Sequence, residues 1–259
     1  MIQLEDDEII KMKRGLGWID LKEAIKSEGC PICFIMNKSL EKYFENLLHE
    51  FALDVTVHKK MIAAMGMCNI HTWVFAEFSD KLGIASLFET TLSKEIKLLK
   101  RTTELGKNNL PDDFKNKKKL EKHKKTIIEQ LLTKGYCLAC EHQRESESFY
   151  THEILTLWSD DEFQSYYGKD DIILCRSHFL FLVEECGRKE IIDYFLAIQR
   201  SKLDNINYQF SEFLRKHDYR FQNEMTDENR KSLIKVLEYF GSKKNVDREG
   251  YNDSQPNKR

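Results

Sequence analysis

Six of the seven cysteines in this chain fall into a pattern with two of its histidines, and those eight side chains carry the chemistry the sequence can do. Cys30 and Cys33 are three positions apart, and so are Cys68 and His71. Cys137, Cys140, Cys175 and His178 repeat the arrangement 107 positions later, with the same 34 residues between the Cys-x2-Cys and the Cys-x2-His. Two ligands three residues apart at a helix start lie on one face about a turn apart, so each pair is a preformed clamp. At a helix start the free N–H groups and the positive dipole end favour thiolate, the form that binds metal. Three thiolates and one imidazole complete the closed tetrahedral shell of structural zinc. The spacing predicts one Cys3His site per copy: Cys30, Cys33, Cys68 and His71 in the first, Cys137, Cys140, Cys175 and His178 in the second. The expected cofactor is Zn2+, two ions per chain, with iron–sulfur clusters as the alternative because thiolates suit both.

Positions unconnected with the ligands obey the same offset. Tyr43, Leu47, Leu48 and Phe51 map onto Tyr150, Ile154, Leu155 and Trp158, and Ile84, Leu87, Phe88, Ile96 and Leu99 onto Ile191, Tyr194, Phe195, Leu203 and Ile206. Steps of three, four and eight mark the apolar stripes of amphipathic helices. The fold class that follows is all-α, a tandem duplication of a unit of about four helices with a metal clamp at helix N-termini in each copy. Pro31 suits the first position of a helix reaching about residue 52. A return segment covers about 54–65 and stops near Gly66, a third helix runs from Cys68 to about 79, and a fourth extends past Gly83 to about 103. In the second copy Ser159 to Glu162 reads as a capping box opening a return segment at about 160–167, and the fourth helix continues through Leu214. Trp18, Leu21 and Ile25 suggest a leading helix, Leu120, Ile127 and Leu131 a linking one, and Leu233, Ile234, Leu237 and Phe240 a last one. The expected segments are a leader at 1–17, the first repeat at 18–110, the linking helix, second repeat and C-terminal helix at 111–241, and a disordered polar tail at 242–259.

With 259 residues, 41% of them apolar, the chain can bury a sizeable core. Its 41 basic and 43 acidic side chains leave a net charge of -2, too little for a chain-wide field that attracts nucleic acid or anionic lipid. The one local candidate for nucleic acid is the basic run Lys115–Lys125, which reads first as a solvated helix face. Met1 to Arg14 has no hydrophobic stretch of the secretion type, and no apolar run approaches the roughly 20 residues that span a bilayer. A cytoplasmic location without membrane contact is expected, and in that reducing compartment paired cysteines read as metal ligands rather than disulfides. Cys186 aligns with Ser79 and reads as a buried structural cysteine. Among the histidines without a counterpart, His142 stands nearest a clamp, two residues after Cys140.

The strings Gly29-Cys30-Pro31-Ile32-Cys33 and Gly66-Met67-Cys68-Asn69-Ile70-His71-Thr72-Trp73 resemble a prokaryotic family of uncharacterised helical proteins with a C-P-x-C helix start and a downstream G-x-C-x-x-H. The resemblance covers roughly residues 29–100 and 136–207. The second copy departs from it, with Leu138 in place of the proline and no glycine two positions before Cys175. It implies a metal-binding role and brings no activity with it. No phosphate loop, HExxH helix or GxSxG elbow is present, and no catalytic or separate cofactor-binding residue is assigned. The leading reading is a non-enzymatic protein whose zinc ions fasten helices together and whose surface serves a protein partner. An iron–sulfur redox, electron-transfer or sensor protein comes second. A zinc enzyme using Glu28 or Glu141 as acid or base comes third, because four ligands leave no open coordination position. The sequence leaves the oligomeric state open.

Overall fold

The structure, a computed structural model, describes residues 15–109, 117–132 and 135–243. The N-terminal stretch to Arg14, Lys115 and the polar tail from residue 244 lie outside the described residues. Among those described, the regular elements are helical: α1 Leu16–Ala24, α2 Pro31–His49, α3 Val55–Ala64, α4 Asn69–Ala76, α5 Lys81–Asn109, α6 Lys117–Leu131, α7 Leu138–Thr156, α8 Asp161–Tyr167, α9 Arg176–Glu185, α10 Lys189–Arg215 and, after a 3-10 turn at Gln222–Glu224, α11 Asp227–Gly241. None of these helices is long and apolar enough to cross a membrane.

Local chemistry sets the boundaries. The Asp54 carboxylate accepts from the N–H groups of Thr56 and Val57 at 2.7 and 3.0 Å and opens α3. That helix closes through Met65 at φ 54° and Gly66 at φ 100°, with the Gly66 N–H donating to the Met61 carbonyl, a turn that favours glycine. The return helix of the second half starts one residue later than expected. Its cap is Asp160, which accepts from the Phe163 N–H at 2.9 Å, and not Ser159. Both side chains are good caps, so composition could not choose between them. A reciprocal box between Thr226 and Asn229 starts α11.

Of the chain's two compact units, the first is assembled from two separate stretches of sequence among the described residues. Among the described residues the first comprises 15–39 and 143–243, and the second 40–142. This division differs from the sequential one expected at 110/111. The reason lies in α2 and α7, which each give their first residues to one unit and the remainder to the other.

The first unit's core gathers Leu21, Ile25, Ile32, Ile154, Phe163, Tyr167, Leu182 and Phe195, all buried. Phe163 stacks on Tyr167, which meets Phe195 edge-on. The second unit's core is Leu40, Phe44, Leu47, Met61, Phe75 and Leu87, joined by Cys137 and Cys140. Leu237 and Phe240 of α11 are exposed, whereas Asn229 and Ser232 face inward.

One charged group in the first core escaped the apolar pattern. Lys202 is buried, its Nζ donates to the backbone carbonyls of Tyr167 and Ile172, and it lies 4.1 Å from the Tyr167 ring centroid. Burial pushes its pKa down to about 8. The ammonium satisfies a carbonyl at the end of α8 that has no helical partner. Lys202→Ala is expected to lower the free energy of unfolding by about 2–4 kcal/mol, through two stranded carbonyls and a cavity. In chemical denaturation Lys202→Met should recover the packing share of that loss and leave the carbonyl share.

Candidate metal centres

All eight predicted ligands come together, in a pairing the spacing did not predict. Cys30 and Cys33 meet Cys175 and His178, and Cys68 and His71 meet Cys137 and Cys140. The expected partnership of each Cys-x2-Cys with the next Cys-x2-His along the chain is therefore corrected: the clamps are exchanged between the halves. Each resulting quartet lies inside one unit, the first quartet in the first unit and the second in the second.

Helix length explains the exchange. The 19 residues of α2 rise ~28 Å, while the ten of α3 return only ~15 Å. Cys68 is partly buried against the core cluster that includes Leu40, Phe44 and Leu47 of α2. The other half repeats the disproportion, with 19 residues in α7 and seven in α8.

Each clamp opens a helix. The carbonyls of Cys30, Cys68, Cys137 and Cys175 accept from the N–H groups of Phe34, Thr72, Glu141 and Phe179 at 2.9–3.0 Å, the first helical bond in each case. Cys68 and Cys175 share one backbone conformation, φ -64° with ψ 165° and 161°. Two helix N-termini thus converge on each quartet, α2 with α9 and α4 with α7.

Backbone ties hold the converging segments together. In the first unit the Gly29 N–H donates to the Asp171 carbonyl at 2.8 Å and the Ile173 N–H donates back to Gly29 at 3.2 Å, an isolated parallel bridge with Gly29 at φ 94°. In the second the Gly135 N–H donates to the Ala63 carbonyl at 2.9 Å. A Cβ at Gly135 would lie 2.9 Å from backbone atoms of Ala63 and Ala64, so this approach requires glycine.

The ligand atoms have the spacing of one coordination sphere. His178 Nδ1 stands 3.4, 3.3 and 3.1 Å from the sulfurs of Cys30, Cys33 and Cys175, and Cys33 is 3.7 Å from Cys175. In the second quartet His71 Nδ1 stands 3.2, 3.5 and 3.3 Å from Cys68, Cys137 and Cys140, and Cys140 is 3.7 Å from Cys68. A tetrahedral zinc with ordinary bond lengths implies edges of about 3.8 Å between sulfurs and about 3.5 Å between sulfur and nitrogen. The sulfurs are free thiols, so no disulfide competes for them.

Burial and close packing shape the protonation of these groups. Burial alone would lower the histidine pKa values, but the adjoining sulfurs outweigh it: Cys175 and Cys33 raise His178 to about 10, and Cys137 and Cys68 raise His71 to about 9. Hydrogen bonds from neighbouring thiols hold Cys175 and Cys137 far below the ordinary thiol range. Burial pushes Cys30 well up, and the bond to Cys137 pushes Cys140 up. A bound ion would displace the protons that the four groups of a quartet hold.

Three residues around the first quartet were not legible as site residues. Glu147 Oε1 lies 3.4 Å from His178 Nε2, both side chains buried. Ser177 and Ser242 place their hydroxyls 3.5 and 3.3 Å from Cys175 Sγ and 2.9 Å from each other. The only available signal was Ser177 lying between two ligands; Glu147 sits in a polar stretch of α7 that reads as a solvated face. A cavity of about 260 Å³ adjoins the same quartet, reached by Cys30, Cys175, Lys235, Glu238 and Tyr239. His142 is no ligand and stacks on Tyr43 at 4.5 Å. Cys186, expected to be buried, is partly exposed and donates to the Arg188 carbonyl. The carboxylates of Glu28 and Glu141 are occupied by Lys231 and Lys60.

Residues 12–247 match a family of unknown function, DUF6062. Among curated proteins the chain is 23% identical over 202 residues to an uncharacterised 23.9 kDa protein in the xynA 3′ region of Caldicellulosiruptor sp. (strain Rt8B.4), a match covering 76% of this chain and 87% of the relative. No solved structure matches.

The exchanged pairing makes an expectation that single substitutions cannot test. Cys33→Ser with Cys175→Ser should remove one ion of two from the purified protein, since both residues serve one quartet. Cys33→Ser with Cys68→Ser should remove both; elemental analysis giving the reverse order would restore the sequential pairing.

Proposed function

We propose that this chain, which belongs to the DUF6062 family, is a zinc-binding helical protein in which two Cys3His ions fasten pairs of helix N-termini and the exposed surface serves a protein partner. The observation that carries the reading is the set of ligand distances. Within each quartet the four atoms lie no more than 4.8 Å apart, the dimensions of a single ion's shell. An iron–sulfur cluster distributes its cysteines over separate iron atoms and needs them more widely spaced, which places that alternative second. Four ligands also close a zinc shell and leave no position for a substrate, as suits a structural ion rather than a catalytic one.

Support for a partner comes from apolar side chains left uncovered at helical spacing in the second unit. Leu92, Ile96 and Leu99 on α5, Ile128 on α6 and Leu132 just after it are all exposed. Of the basic run within α6, Lys118, Lys122, Lys124 and Lys125 are exposed, as on a solvated face.

Protein purified without oxygen should be colourless and contain two equivalents of zinc. Because structural zinc contributes folding energy directly, stripping it with a strong chelator should abolish the cooperative thermal transition followed by circular dichroism. A brown preparation with visible absorption and iron in place of zinc would overturn the assignment.

A further inference from the structure

The two quartets share ligand types and distances but differ in everything immediately outside the ligands. On the premise that they bind metal, we infer that the Cys30/Cys33/Cys175/His178 site holds its ion the more tightly and that the Cys68/His71/Cys137/Cys140 site is the one that fills last and empties first.

The first difference lies behind the histidines. Both coordinate through Nδ1 and turn a buried Nε2 away from the ion. At His178 that nitrogen faces the buried Glu147 carboxylate at 3.4 Å, an electrostatic contact slightly longer than a good hydrogen bond. A carboxylate in this place fixes the ring and raises its basicity as a ligand. Neither Nε2 makes a hydrogen bond among the described residues, but where His178 has that carboxylate, His71 has the apolar ring of Phe44, with ring centroids 6.4 Å apart. The 107-residue offset that maps one clamp onto the other carries Glu147 onto Leu40, an apolar side chain in the second core.

The second difference concerns the sulfur of each Cys-x2-His. Two hydroxyls surround Cys175 Sγ, those of Ser177 and Ser242. Either can donate to the thiolate and disperse its charge. The same offset carries Ser177 onto Ile70, which has no hydroxyl. Ser242 follows α11 and has φ 62° and ψ 175°, a conformation that only glycine adopts without strain. Its bonds to Cys175 and Ser177 accompany that conformation, so the end of α11 is tied to the first site.

The third difference is exposure: Cys175 is 1% exposed, whereas Cys68 is only partly covered. Carboxylate, hydroxyls and burial all favour the same site. Outer groups of this kind are worth about 10- to 100-fold in metal affinity, so the two binding steps should separate by about that factor. The chain would then carry one ion that is part of its fold and a second whose occupancy follows the supply of free zinc.

The test is a competition titration of the stripped full-length protein with zinc against a chromophoric chelator. The wild type should show two steps, the tighter about 10- to 100-fold stronger. Glu147→Gln and, separately, Ser242→Gly should each weaken only the tighter step, by about tenfold or more, and leave the weaker in place. Ser242→Gly also relieves the backbone, so a weakened tight step without loss of thermal stability would separate contact with the sulfur from general damage to the fold. Two wild-type steps of equal affinity, or variants that shift both steps alike, would overturn the inference while leaving metal binding intact. No stoichiometric uptake by the wild type would remove the metal reading itself.

Discussion

Three sulfurs and one imidazole nitrogen within 4.8 Å of one another, at the meeting of two helix N-termini, are the constraint on which each unit is built. Buried or partly buried thiols 3.7 Å apart would repel one another as thiolates, and desolvation adds to the cost. The helix N-termini offset part of that cost through their unpaired N–H groups and dipoles, and a divalent ion would offset the rest. Around this point the chain supplies close backbone ties, the Gly29 bridge in one unit and the Gly135 contact in the other. Both ties join the segment before a Cys-x2-Cys to the segment before the Cys-x2-His that it meets, and the ligands are thereby positioned by main chain as well as by packing.

The exchange of clamps changes what a bound ion would do for the fold. Between adjacent clamps along the chain it would only pin a local hairpin. In the observed pairing it joins residues 142 apart at Cys33 and Cys175, and 72 apart at Cys68 and Cys140. Loop-closure entropy grows slowly with length, about 0.6 kcal/mol per doubling, so distant partners cost little more than near ones. In return each ion would cross-link a long loop. The first unit, whose two chain segments are separated by the whole of the second unit's sequence, would gain from such a link most clearly.

Much of this was legible before any coordinates. Residue type and duplicated spacing single out all eight side chains of the two clusters, and apolar periodicity finds helices, with Pro31 and Gly66 marking a start and a stop. The pairing was not legible, because either arrangement gives two Cys3His sets and no composition distinguishes them. What decides is the inequality of outgoing and returning helices, α2 against α3 and α7 against α8, visible only when the short helices have definite ends. Glu147 and Ser242 were hidden for another reason: a carboxylate in a polar helix and a serine after the last one are ordinary surface residues until the fold brings them to a ligand. The stripe on α11 was legible as a helix but not in its burial, since Leu237 and Phe240 point outward while Asn229 and Ser232 are covered.

The central claim is that ligands from distant parts of the chain share one ion, and cadmium can report it directly. With 113Cd loaded into both sites, correlation of each metal resonance with cysteine β protons through scalar coupling reads the ligand sets without mutation. One resonance is expected to couple to Cys30, Cys33 and Cys175, and the other to Cys68, Cys137 and Cys140. A resonance coupled jointly to Cys30, Cys33 and Cys68 would contradict the account.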